Sequence, residues 1–233
     1  MSEIALVHGA FLGAWSWDLV RPELEALGHT TIAMDLPCED PAAGASRYAE
    51  AVVEATRGAG DDLVVVGHSL GGLTIPLVAA ARPVGRLVFL AAFIPFPARP
   101  FTDQFGEEGM FPPSSEASWP LTDEDGLMRW PAERMLPALC PDCPPDVAAW
   151  AGRMARRQSR AAHTETCPLD AWPAVPSSYV LCLEDTQVGV EWARRAARER
   201  LGTTAVELPG GHMPMLSRPA ALAAALDACV RGS

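Results

Sequence analysis

The stretch from Asp61 to Gly72 constrains this chain more than any other: Asp61-Asp62-Leu63-Val64-Val65-Val66-Gly67-His68-Ser69-Leu70-Gly71-Gly72. Four apolar residues, three of them β-branched, run straight into Gly67-His68-Ser69-Leu70-Gly71, and an alanine-rich segment of helical composition follows. The pattern predicts a strand, a sharp turn and a helix. A serine at the apex of such a turn needs glycine two positions before and two after, because a Cβ at either place would collide with the adjoining strand or helix. The strain lifts the Ser69 hydroxyl clear of the sheet. It also brings the hydroxyl near backbone N–H groups that favour developing negative charge. Ser69 is therefore the candidate nucleophile.

A poor nucleophile needs a base, and the base needs a carboxylate to hold its tautomer. Of five histidines, His68 adjoins Ser69 in sequence, but consecutive turn residues point their side chains apart. His29 precedes a strand, at the opposite end of a parallel sheet, and His163 lies in an irregular region. His212 sits in Pro209-Gly210-Gly211-His212-Met213, after the last predicted strand and on the same rim as Ser69. For the acid, Glu184 and Asp185 both follow a predicted strand at Ser178 to Leu183, and Asp185 begins the loop where Glu184 ends the strand. Asp35, at another strand end, is the competitor, with turn capping as its alternative role. The order Ser69, Asp185, His212 is the one that accompanies a serine on a strand-to-helix elbow.

The elements around these residues alternate. Ile4 to Val7, Thr30 to Met34, Leu63 to Val66 and Leu87 to Ala92 read as buried strands, and Trp15 to Leu27, Tyr48 to Arg57 and Leu70 to Ala81 as helices between them. Such alternation predicts an α/β fold with a mainly parallel sheet flanked by helices, whose ligands sit at the carboxyl ends of the strands. From Pro95 to Pro176 the alternation stops and prolines accumulate; only Arg129 to Leu139 and Val147 to Ala162 look helical. The expectation is a core at 1–94 and 177–233 and an inserted, mostly helical cap at 95–176, before the last two strands. Phe101, Phe105, Met110, Phe111, Trp119 and Trp130 would roof a pocket or pack the cap onto the body. The chain closes with Val190 to Leu201 as helix, Thr204 to Leu208 as strand and Pro219 to Val230 as helix.

Composition narrows the partners. With 233 residues the chain can bury one sizeable core. A net charge of -11 argues against nucleic acid, whose phosphates would be repelled. No apolar run approaches the length needed to span a bilayer, and Met1-Ser2-Glu3 leads into the first strand without a basic, cleavable segment, so a soluble, cytoplasmic protein is expected. The six scattered cysteines fit a reducing compartment. Cys140 and Cys143, with His163 and Cys167 downstream, can be drawn as a zinc site, but a second C-x-x-C knuckle is missing and Pro141, Pro144 and Pro145 suggest a turn leading into a helix. No metal and no cofactor are expected, and a homodimer is left open.

Four segments together resemble the α/β-hydrolase superfamily, in the branch of methyl-ester esterases and hydroxynitrile lyases: Val7-His8-Gly9-Ala10-Phe11-Leu12-Gly13-Ala14-Trp15-Ser16-Trp17, Gly67-His68-Ser69-Leu70-Gly71-Gly72, Leu183-Glu184-Asp185 and Gly211-His212-Met213. The resemblance spans the body, while the cap matches loosely. It implies Ser69 as nucleophile, His212 as base, Asp185 as its partner, and an oxyanion hole from the backbone N–H groups of Ala10 and Leu70, with His8 and Gly9 shaping the hole. Gly9, Phe11, Trp119, Trp130 and Met213 are expected at the substrate pocket. The lyases of that branch carry threonine where this chain has Gly9 and lysine where it has Met213. Their absence favours an esterase acting on small-molecule carboxylic esters. A carbon–carbon lyase, a lactone or thioester specialist and a receptor-like binding protein are the alternatives.

Overall fold

The computed structural model describes residues 1–104, 108–112 and 119–232. Six strands form the central sheet: β1 (Glu3–Val7), β2 (Thr30–Ala33), β3 (Val64–His68), β4 (Arg86–Leu90), β7 (Ser177–Cys182) and β8 (Val206–Leu208). Their order is β2-β1-β3-β4-β7-β8 and every neighbouring pair is parallel. The order reverses direction at β1 and β3, so the connections leaving these two strands diverge to opposite sides and open a crevice at their carboxyl ends. Ser69 follows β3 there, and His8 to Phe11 follow β1.

The strands read as continuous apolar runs because both faces are covered. Ala5, Val7, Val65, Leu87, Phe89, Tyr179 and Leu181 point into one buried cluster. Its other side comes from α2 (Ala45–Ala55), α3 (Ile75–Ala81) and α7 (Val190–Leu201). Ile4, Leu6, Val64, Val66, Val88, Leu90, Val180 and Leu208 point into the second cluster, which α1 (Arg21–Ala26) and α8 (Pro219–Arg231) cover together with Trp15 and Trp17.

Two of the expected helices are shorter than their periodicity suggests. Between Trp15 and Leu27 the chain makes a 3₁₀ turn at Ala14–Trp17 and only then starts α1, with Pro22 in its first turn. The stretch from Leu70 to Ala81 likewise divides into a 3₁₀ turn at Ser69–Leu73 and α3, with Pro76 in the first turn. Proline lacks the N–H that a helix interior needs and is tolerated where a helix begins, so each proline resets the start.

Between β4 and β7 the chain holds a 3₁₀ turn at Phe101–Gln104, a short antiparallel pair β5 (Leu121–Thr122) and β6 (Met128–Arg129), and helices α4 (Ala132–Leu139), α5 (Pro145–Met154) and α6 (Ala161–Thr164). The region is less helical than expected. Arg129 belongs to β6, and the span from Val147 to Ala162 breaks after Met154, where Gln158 pairs with Met128 across an isolated bridge. That pairing straightens the chain and interrupts the helix. Cys140-Pro141-Asp142-Cys143 is the turn from α4 into α5, closed by Cys143 N–H donating to Cys140 O. Among the described residues no three His, Cys, Asp or Glu side chains cluster as metal ligands, so Cys140, Cys143, His163 and Cys167 are not brought together. No helix among the described residues is long and apolar enough to cross a membrane.

Candidate active site

Ser69 has a positive φ of 52°, the strained conformation that a side chain at the apex of the turn requires. The glycines around it are there for space. A Cβ on Gly67 would lie 2.8 Å from Gly71 O, one on Gly71 would lie 2.9 Å from both Val7 O and His8 O, and one on Gly72 would lie well inside contact distance of Phe93 O. The turn is thus wedged between the ends of β1 and β4. Phe93 N–H donates to Ser69 O at 3.1 Å, and Tyr179 braces the exit of β4 by donating to Ala92 O at 2.6 Å and accepting from Ala92 N–H at 3.0 Å.

His212 is buried in the loop after β8, and its Nδ1 lies 2.8 and 3.0 Å from the two oxygens of Asp185. An ionised carboxylate only accepts, so Nδ1 carries the proton and Nε2 is left as the basic nitrogen. Asp185 is also buried, and its Oδ1 accepts from the N–H groups of Gln187 (2.7 Å) and Val188 (3.0 Å). These bonds fix the carboxylate in place. Glu184, one residue earlier, is exposed. Asp35 lies elsewhere: it accepts from Ala14 N–H at 2.8 Å and pairs with Arg156 at 3.3 Å, a capping role. His29 pairs with Asp227 at 2.9 Å, away from the crevice.

Two groups that sequence reasoning passed over hold the histidine loop. His68 is not a base but a wedge: its Nε2 donates to His212 O at 2.9 Å, its ring lies 4.8 Å from the His212 ring, and Trp17 meets its other side edge-on at 6.3 Å. Burial, and then the neighbouring His212, hold the His68 imidazole well below its ordinary pKa, so it stays neutral. Asp142, in the turn between α4 and α5, accepts from Gly211 N–H at 3.0 Å. The position of His68 inside the Gly-x-Ser-x-Gly turn was the available signal for the first. Nothing local marked the second, which lies 69 residues from its partner.

His8 secures the segment after β1. Leu36 N–H donates to its Nε2 at 3.0 Å, which makes Nε2 an acceptor, and Nδ1 donates to Gly9 O at 2.8 Å. Burial pushes this imidazole down to about 4. Ala10 follows, and Phe11 turns the chain away with φ 64°. Ala10, Leu70, Ser69 and His212 line a single cavity of about 310 Å³, which Phe11, Phe93, Phe101, Phe111, Trp119 and Trp130 wall with aromatic surface. Phe11 and Trp130 meet edge to face at 5.3 Å, joining the segment after β1 to the segment that follows β6.

Two expected pocket residues are elsewhere. Met213 is buried in the core cluster beneath the loop, and Gly9 does not line the cavity. A Cβ on Gly9 would lie 2.9 Å from both His68 Nδ1 and Ser69 Cβ, so the space beside Gly9 is filled by those side chains and not by the pocket. Of the six apolar residues expected over the pocket, Phe101, Phe111, Trp119 and Trp130 line it, Met110 is buried in the core, and Phe105 lies outside the described residues.

Among the described residues the His212 ring bonds to Asp185 and makes no hydrogen bond to Ser69 Oγ.

A doubly wound parallel sheet with its pocket over the strand ends, and a strained serine at the crevice, defines a hydrolase of the α/β class. Residues 4–225 match the alpha/beta hydrolase family, to which the chain belongs. It is 27% identical to Methylesterase 2 of Arabidopsis thaliana, covering 92% of this chain and 90% of that protein. It is also 27% identical to the Alpha-hydroxynitrile lyase of the same plant, covering 96% and 95%. The crystal structure of a pyrethroid hydrolase, PytH, superimposes with a TM-score of 0.82 at 25% identity, over 99% of this chain and 97% of that one. The chain is a hydrolase related to carboxylic-ester esterases over more than nine-tenths of its length.

Proposed function

We propose that this protein hydrolyses carboxylic esters of small molecules through Ser69, His212 and Asp185. His212 Nε2 takes the Ser69 proton as Oγ attacks the ester carbonyl, and Asp185 stabilises the imidazolium that results. The N–H groups of Ala10 and Leu70 hold the oxyanion. His212 then protonates the leaving alcohol, and water, activated by the same nitrogen, releases the acid from Ser69. The chemistry calls for no cofactor. Residues 95–176 act as the cap that encloses the acyl or alcohol part of the substrate in aromatic surface.

The observation that carries this reading is the Asp185–His212 pair, buried and bonded through Nδ1, on a cavity that Ser69 also lines. The resemblance to lyases is weakened at the two positions where they differ. A threonine in place of Gly9 would press on Ser69, and Met213, buried in the core, offers no cation to a departing anion.

The test pairs hydrolysis of short-chain aryl esters with cleavage of mandelonitrile on one preparation, with Ser69→Ala as the blank. Ester turnover that falls by at least about a thousandfold in Ser69→Ala, with little cyanide release, is expected. Serine-dependent cyanide release faster than ester hydrolysis would overturn the reading. So would tight binding of a small ligand with no turnover.

A further inference from the structure

The cavity has one charged side of its own. Among the described residues that line it, Arg160 is the arginine, and there is no lysine, aspartate or glutamate. This is unexpected in a chain with 29 acidic and 18 basic residues. Among the described residues the Arg160 side chain forms no ion pair and no hydrogen bond. It stands just before α6, whose His163 and Thr164 line the same cavity, as does Thr102 of the neighbouring 3₁₀ turn. His163 adds no charge there: burial first, and then Arg160 itself, push its imidazole down to about 4. At neutral pH the wall therefore presents one guanidinium, two hydroxyls and a neutral imidazole.

This polar wall is set apart from the nucleophile by aromatic surface. Phe93, bonded through its N–H to Ser69 O, packs on Phe101 with ring centres 4.7 Å apart, and Phe101 lies 6.5 Å from the His163 ring. A molecule with its carbonyl at Ser69 and an apolar arm along Phe93 and Phe101 runs toward the side of the cavity that His163 and Arg160 line. A guanidinium at the edge of such a cavity is the group that recognises a carboxylate, because it offers forked donors and a fixed positive charge.

We infer that Arg160 is a specificity-determining residue and that the preferred substrates are esters whose apolar acyl arm carries a distal carboxylate, that is, half-esters of dicarboxylic acids. The inference rests on the ester-hydrolase reading and names the substrate class for that same site.

The experiment compares monomethyl esters of straight-chain dicarboxylic acids with methyl esters of monocarboxylic acids of equal chain length, using wild type, Ser69→Ala, Arg160→Gln, Arg160→Lys and Arg160→Glu. Wild type should favour the anionic ester by about tenfold in kcat/KM, chiefly through KM, as a charge-assisted hydrogen bond at a partly exposed site supplies. Raising the salt concentration should shrink that ratio. Arg160→Gln should bring it near one, Arg160→Lys should keep part of it, and Arg160→Glu should invert it. Arg160 is exposed, so these variants test recognition and not folding. Serine-dependent turnover of the neutral esters with an anionic-to-neutral ratio of one or less, unmoved by Arg160→Glu, would overturn the inference and leave the ester hydrolase standing. If neither ester were hydrolysed in a Ser69-dependent way, both would fall.

Discussion

Acid should destabilise this fold through His8 before it protonates most carboxylates. The imidazole accepts from Leu36 N–H and donates to Gly9 O, so a second proton on Nε2 would point one N–H at another inside the core. Burial pushes its pKa from 6.5 to about 4. The unfolded chain then binds a proton across that interval and the folded chain does not, so unfolding free energy rises with pH between the two values. Above 6.5 the contribution is complete; it is lost progressively as pH falls from 6.5 toward 4, and no more is lost below the folded value. Integrating between the two pKa values gives about 3 kcal/mol lost at pH 4 from this one residue, a large part of the roughly 5–15 kcal/mol that holds a typical domain together.

The assay is urea unfolding at a series of pH values from 7.5 to 4, on wild type and on His8→Gln, whose amide oxygen can accept from Leu36 N–H without titrating. His8→Gln starts less stable at pH 7.5, because the bond to Gly9 O is lost. Its stability should then fall less steeply with acid, by about 3 kcal/mol over the range. A parallel histidine titration by NMR should show the His8 ring resonance unmoved between pH 7.5 and 5.5. Equal pH slopes in the two proteins, or a His8 titration centred near 6.5, would refute the reasoning.

Two further outcomes follow from the site. In the proposed mechanism Asp185→Asn removes the charge that would stabilise imidazolium and weakens the hold on the His212 tautomer, so kcat against an aryl ester should fall about 10³- to 10⁴-fold while urea unfolding shows the fold retained. Gly71→Ala drives a Cβ to 2.9 Å from two backbone carbonyls, Val7 O and His8 O, which cannot swing away as a side chain does. A loss of about 2 kcal/mol, or roughly 5 °C in Tm, should accompany a larger proportional loss of activity, because those carbonyls end the strand that leads to Ala10.

Much of this molecule was legible before any coordinates. The turn around Ser69 is a local object: strand propensity, two spacing glycines and a strained apex act within a dozen residues, so their pattern survives in the sequence. The strands were readable for the same reason, since burial on both faces turns each into an unbroken apolar run. The order of Ser69, Asp185 and His212 along the chain followed from which strand each residue comes after. Helix starts were misjudged where apolar spacing was weighed above Pro22 and Pro76, whose effect is equally local and could have been read.

The tertiary structure decided what depends on approach between distant segments. Asp142 meets Gly211 only because the turn after α4 folds onto the histidine loop. His68 becomes the support of His212, and Gly9 the residue that lets Ser69 and His68 close in, because β1, β3 and the loop after β8 converge at one rim. Met213 leaves the pocket for the core by the same packing. Arg160 could not be distinguished from any other surface arginine until α6 was set against the turn at Phe101–Gln104, for a charge acquires its meaning from the dielectric and the neighbours around it, and those are properties of the folded chain.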